Sequence, residues 1–93
     1  MENKITKQKL EKYFKITKTA LAKAKKKIKG SRETDAREII DMVENYLSDA
    51  KFFENKGDFV NAFGAINYAH GWLDSGVRLD VFDVKDDKLF TIK

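Results

Sequence analysis

The sequence predicts an all-α protein, an up-and-down three-helix bundle with a short extended or hairpin C-terminal tail. Three observations predict it. The 93 residues contain no Pro, where an average composition would give about four or five, and an interior Pro costs a helix about 3 kcal/mol. Apolar residues recur at steps of three and four through three successive stretches, the period of a helix with one buried face. Gly-containing breaks at Gly30 and at Lys56-Gly57-Asp58 separate those stretches.

The first helix spans about residues 3–29. Leu10, Phe14, Thr17, Leu21, Ala24 and Ile28 form its seam, widened by Tyr13 and Ala20. Most of its lysines fall on the opposite arc. Gly30 offers a stop, with Lys29 at the negative end of the helix dipole. The second helix spans about 33–56. Ser31 or Thr34 is its expected N-cap, and Glu33, Asp35 and Glu38 suit the positive end of the dipole. Ala36, Ile40, Val43, Leu47 and Ala50 form a seam flanked by Ile39, Tyr46 and Phe53, a face broad enough to touch both other helices.

Gly57 is placed to take a left-handed C′ conformation and Asp58 to cap the next helix, so helices two and three are antiparallel neighbours. The third helix, about 59–78, carries Phe59, Phe63, Ile66, His70, Leu73 and Val77 on its seam. Gly64 and Gly71 are expected to mark close packing and Gly76 fraying, since each Gly costs a helix about 1 kcal/mol relative to Ala. The tail, 79–93, has two β-prone runs, Val81–Val84 and Leu89–Ile92, around Lys85-Asp86-Asp87-Lys88, the pattern of a small hairpin.

Residues 1–93 make one domain, too short for a Rossmann, barrel or hydrolase enzyme fold. The absence of Cys excludes a disulfide scaffold, a thiolate metal site and a cysteine nucleophile. No apolar run approaches the roughly 18 residues that span a bilayer, and MENKITKQKL lacks a signal-peptide core, so a soluble cytoplasmic protein with no membrane partner is expected. The net charge of +4 hides an asymmetry. Residues 1–30 hold eleven Lys against two Glu, a balance of +9, and residues 31–93 hold eight basic against thirteen acidic side chains, a balance of −5.

That asymmetry makes Lys12, Lys15, Lys18, Lys23 and Lys26 candidates for binding a polyanion or nucleic acid. Against it, the first thirty residues have no Arg for bidentate forks, and the acidic helices are expected to neutralise the lysines within the bundle. The second candidate is a polar and aromatic stripe on helix three: Asn61, Asn67, Tyr68, His70, Trp72, Asp74 and Arg78. His70, the one histidine, sits on a seam position, so it is either a buried, hydrogen-bonded side chain or a titrating site group. Asp74 at i+4 can hold its imidazole or pair with Arg78. Trp72 and Tyr68, off the seam, either cover the tail or meet a partner chain. No zinc spacing, calcium loop or phosphate loop occurs, so no metal and no cofactor is expected.

Residues 50–84, AKFFENKGDFVNAFGAINYAHGWLDSGVRLDVFDV, resemble a small archaeal family known as domain of unknown function 357. The shared pattern is the Lys-Gly-Asp turn, then Val-Asn-Ala, Asn-Tyr-Ala-His-Gly-Trp-Leu-Asp and Gly-Val-Arg. The family motif falls on Asn61, Asn67, Tyr68, His70, Gly71, Trp72, Asp74, Gly76 and Arg78. The sequence departs from it at Asp80, where a small residue such as Gly is expected. The resemblance implies a three-helix bundle, an archaeal and cytoplasmic protein, no established activity, and a helper role beside a nucleotidyltransferase-like domain.

The functional expectation is a non-enzymatic interaction or accessory module, binding a protein partner or a second copy through the Trp72 side of helix three. The alternative is polyanion binding by the lysine helix. A third class is a small nucleotide-handling enzyme using His70 and Asp74.

Overall fold

In the computed structural model, which describes residues 4–90, three helices follow one another: α1 (Lys7–Lys25), α2 (Glu33–Asn55) and α3 (Phe59–Arg78). The Thr6 side chain caps α1 by accepting from the Lys9 amide at 3.1 Å. α2 begins without a side-chain cap: Arg32 occupies the cap position and neither Ser31 nor Thr34 serves there. Glu33 and Asp35 supply the negative charge its first turn favours. Asp58 caps α3 as expected, accepting from the Asn61 amide at 3.2 Å and from the Asn61 side-chain amide at 2.7 Å.

α2 and α3 close with the same hydrogen-bond pattern. At the end of α2 the Gly57 amide donates to Glu54 O and the Asp58 amide to Phe53 O. At the end of α3 the Asp80 amide donates to Val77 O and the Val81 amide to Gly76 O. Both are Schellman motifs, which place the C′ residue in left-handed backbone. Gly57 has φ 77° at no steric cost. Asp80 has φ 61°, the single non-Gly residue with positive φ among those described. A left-handed residue is what this helix end requires, which gives the small residue expected at position 80 its physical reason.

Tyr13 lies edge-on to Phe63 and Thr17 faces His70. The two contacts advance along both helices in the same sense, so α1 and α3 run parallel, with α2 antiparallel, as the up-and-down order requires. α3 is shared between the other two helices; α2 meets α1 only lightly and does not touch both neighbours equally. The core is drawn from Leu10, Ala20, Leu21 and Ala24 of α1, Ala36, Ile39, Val43, Leu47 and Ala50 of α2, and Ala62, Ile66, Ala69, Leu73 and Val77 of α3.

The largest departure lies between α1 and the tail. α1 stops at Lys25 rather than at 29. The Lys29 amide donates to Val81 O at 3.0 Å and the Asp83 amide to Lys27 O at 2.7 Å, around an antiparallel bridge between Ile28 and Phe82. The chain gives up a helical turn to pair with the tail. Gly30 therefore lies in a turn beyond that pairing and is not the helix stop. No tail hairpin forms among the described residues: the first β-prone run pairs with residues 27–29, and 86–90 close a turn through the Phe90 amide on Asp86 O. The end of the second run, including Ile92, lies outside the described residues. Val81, Phe82 and Phe90 are all buried, so the tail completes the core.

The glycine expectations reverse. A Cβ on Gly64 or Gly71 would meet nothing within 4 Å. A Cβ on Gly76 would lie 2.5 Å from Phe82 Cε2 and 3.1 Å from Ile39 Cδ1. Gly76 is the close-packing position and Gly64 and Gly71 are open. Gly76→Ala should therefore destabilise the fold by about 1–3 kcal/mol through overpacking, whereas Gly71→Ala should stabilise it by about 0.5–1 kcal/mol. Denaturant midpoints at constant m-value check both. Asp80→Gly, by relieving left-handed backbone, should raise stability by up to about 1 kcal/mol in the same measurement.

Candidate functional site

The stripe expected on α3 divides into two faces. At 100° per residue, Phe63, Asn67, His70 and Asp74 project towards one side of α3, and Tyr68, Trp72 and Leu79 project from the other, about half a turn away. Asn61 is engaged at the N-cap by Asp58. Arg78 is exposed in the last turn, and the carbonyl just beyond it, Leu79 O, accepts from Arg32 Nη1 at 2.9 Å.

The first face meets α1 and the tail at His70. Leu89 O lies 2.6 Å from Nε2 and Thr17 Oγ1 lies 3.0 Å from Nδ1. A carbonyl oxygen only accepts, so Nε2 carries the proton, and in the neutral ring Nδ1 accepts from the Thr17 hydroxyl. Both ring nitrogens are thus engaged inside the chain, joining α1, α3 and the tail. Asp74 Oδ1 stands 3.8 Å from Nε2, and the Phe90 ring lies 6.3 Å from the imidazole, tilted by 33°. Beside this contact is a cleft of about 290 Å³ lined by Tyr13, Ile16, Thr17, Asn67, His70, Gly71 and Asp74.

One feature of the sequence points to the Thr17–His70 bond. Thr17 and His70 are polar residues on otherwise apolar seams. A buried hydroxyl needs a partner, and Thr17, only 2% exposed, finds it across the helix interface.

The second face carries an aromatic row across the α2–α3 seam. Tyr68 lies edge-on to Tyr46 of α2 at 4.6 Å and to Trp72 at 6.5 Å between centroids. Tyr68 is 54% exposed and Leu79 63%. Leu89 and Phe90 of the tail lie at His70, on the opposite side of α3, so they do not cover this row. Sequence spacing makes Tyr46 a flank of the α2 seam; its place in the row follows from the α2–α3 register, which spacing does not fix.

The α1 lysines are neutralised less than expected. Lys25 pairs with Glu44 of α2 and Lys23 with Asp86 of the tail. Lys12, Lys15, Lys18 and Lys26 are exposed, and none forms an ion pair within the described residues. Lys12 lies over the Tyr13 ring, and Lys18 and Lys51 over Phe14. Among the described residues no group of three His, Asp or Glu side chains could hold a metal ion, and no helix is long and apolar enough to cross a membrane.

With this geometry in hand, comparison with known proteins gives one family. The model of a protein family of unknown function, DUF357, matches residues 12–82. The chain belongs to the DUF357 family. No curated protein and no solved structure matches it. The DUF357 match takes in Thr17, His70, the aromatic row and the Gly76–Phe82 contact. It ends at Phe82, so the tail residues that hold Lys23 and His70, namely Asp86 and Leu89, lie beyond it.

Asp86 organises that last stretch. Its carboxylate accepts from Lys23 Nζ at 2.5 Å and from the amides of Lys88 and Leu89 at 3.0 and 3.3 Å. The Lys23 hydrogen bond, then the Lys88 amide, hold the carboxyl below its ordinary value of 3.8, with partial burial pulling the other way. A carboxylate depressed by folding stabilises the docked tail above its ordinary value, and that contribution is lost as pH falls through the lower folded value. Amide exchange protection at Lys88 and Leu89 should therefore be flat from about pH 5 to 8, after correction for intrinsic exchange, and fall below about pH 3.8. Asp86→Asn should abolish the acid-dependent step.

Proposed function

We propose that this DUF357 domain is a non-enzymatic interaction module that docks a helix of a protein partner on the Tyr46–Tyr68–Trp72 face of the α2–α3 pair. The observation that carries the reading is the aromatic row on the side of α3 away from α1, in which Tyr68 is exposed and Tyr46 and Trp72 are half-buried. Aromatic side chains of this kind supply large contact area at little entropic cost, and they dominate measured interface energies. Between Ala65 and Leu79 the face runs about 21 Å along the helix axis, enough for about four turns of a docked helix.

The charge around the face indicates what kind of helix fits. Glu38 and Asp49 share this side of α2 with Met42 and Tyr46 at steps of three and four, and neither is in an ion pair within the described chain. An amphipathic partner helix with basic residues flanking its apolar stripe is complementary to that arrangement. The engagement of both His70 nitrogens by Thr17 and Leu89 supports an interaction role over a nucleotide-handling enzyme built on His70 and Asp74.

The test compares the wild type with Tyr68→Glu, an exposed substitution expected to leave the helix content unchanged by circular dichroism. Wild type should retain a protein partner in affinity capture from its source cells, and the purified partner should bind at least about thirty-fold more weakly to the variant, the scale of an interface hot spot. A wild type that dimerises by light scattering, and a variant that does not, would make a second copy the partner. An unchanged capture profile with a monomeric wild type sinks the reading.

A further inference from the structure

We infer that the exposed lysine face of α1 is a second binding surface, one that takes the phosphate backbone of duplex nucleic acid without reading sequence. α1 carries seven Lys and one Glu in 19 residues, a balance of +6 along about 28 Å of helix. Packing inside a bundle disposes of such a charge only if acidic side chains face it. Here they do so at two positions, Glu44 opposite Lys25 and Asp86 opposite Lys23. Lys12, Lys15, Lys18 and Lys26 keep their charges in water, on a track of about 21 Å.

The chemistry around those lysines selects the polyanion. Single strands are held by base stacking on exposed rings in addition to charge. The rings on this side are occupied: Lys18 and Lys51 lie over Phe14 at 5.7 and 4.5 Å, and Tyr13 is edge-on to Phe63 at 5.4 Å with Lys12 above it. A membrane surface needs apolar side chains to insert beside the basic ones. The exposed α1 positions are Lys, Gln, Glu, Thr and Ala, with no large apolar side chain among them. What remains is a band of point charges about a third of a turn wide, on α1 and its C-cap Lys26, with the Lys12 and Lys18 ammonium groups held over aromatic rings. A duplex carries one phosphate charge per about 1.7 Å of its axis, both strands counted, so phosphates are dense enough to meet all four lysines within a track of this length. α1 has no Arg and so no planar fork fixed for base edges, and its lysines act as flexible point charges, so binding is expected to be indifferent to sequence.

Fluorescence anisotropy of a labelled mixed-sequence DNA duplex, its RNA counterpart and the matching single strand, titrated with the full chain from about 50 to 200 mM salt, tests this. Four neutralised phosphates predict a log–log slope near −3.6 for B-form duplex DNA, or about a 150-fold loss of affinity across that range. Lys15→Gln/Lys18→Gln, with helicity checked by circular dichroism, should flatten the slope by about 2 and weaken binding at least ten-fold at the lowest salt. Scrambling the duplex sequence should change nothing. RNA duplex binding as tight as DNA would assign the surface to backbone charge alone and supports the inference. Four results overturn it: no duplex binding at the lowest salt, tighter binding of the single strand, an unchanged slope in the folded double variant, and retention on phosphatidylserine vesicles with none on either duplex.

Discussion

The ring of Phe82 rests on the bare backbone of Gly76, and the layout of this domain depends on that contact. A side chain of even one carbon at Gly76 would intrude on the ring. The Schellman end of α3 turns the chain back at Asp80 so that Val81 and Phe82 reach the core. With Phe82 seated there, its backbone is presented to Ile28, and α1 yields its last expected turn to make the bridge. From that bridge the tail runs back along α1, which brings Asp86 to Lys23 and Leu89 to His70. One glycine thus governs where α1 ends, where the tail lies and how His70 is held.

The consequence for His70 bears on function. A histidine on a bundle seam has the makings of a general acid or base, but such a group needs a nitrogen within reach of substrate. Here the tail carbonyl and the Thr17 hydroxyl occupy both nitrogens and fix the tautomer. The imidazole acts as a bridge among three segments, two of which, α1 and the tail, have few other polar contacts with α3. His70 is committed to holding the domain together on this side of α3, and the opposite side presents the exposed ring of Tyr68.

Much of the fold was legible because helices announce themselves locally. The 3–4 spacing, the Lys56-Gly57-Asp58 break and the Asp58 cap placed α2 and α3 to within a residue. What was not legible depends on contacts distant in sequence. Nothing near Gly76 or Gly71 shows which of them faces another element; Phe82 decides it, from beyond the helix. Ile28 continues the α1 seam perfectly well, and only the arrival of the tail withdraws it. The seven residues of the stripe all lie on α3, but one-dimensional spacing merges two faces that helix geometry separates. Tyr46, Thr17 and Leu89 were missed as partners because each comes from a different element.

The distribution of charge follows from which helix sits in the middle. α2 holds seven acidic residues against two basic ones and α3 holds only Asp74 against Arg78. Had α1 packed chiefly on α2, the balance of +6 would have met one of −5 and largely vanished into cross-helix pairs. It packs instead on the nearly neutral α3, and α2 lies against the other flank. The two strongly charged helices thereby meet only lightly, with one ion pair between them among the described residues, Lys25–Glu44. An arrangement that forgoes ion pairing costs little stability, since exposed pairs contribute only about 0–1 kcal/mol each. It leaves the domain electrically polar, basic along α1 and acidic along α2, so the two surfaces proposed above differ in charge and do not overlap.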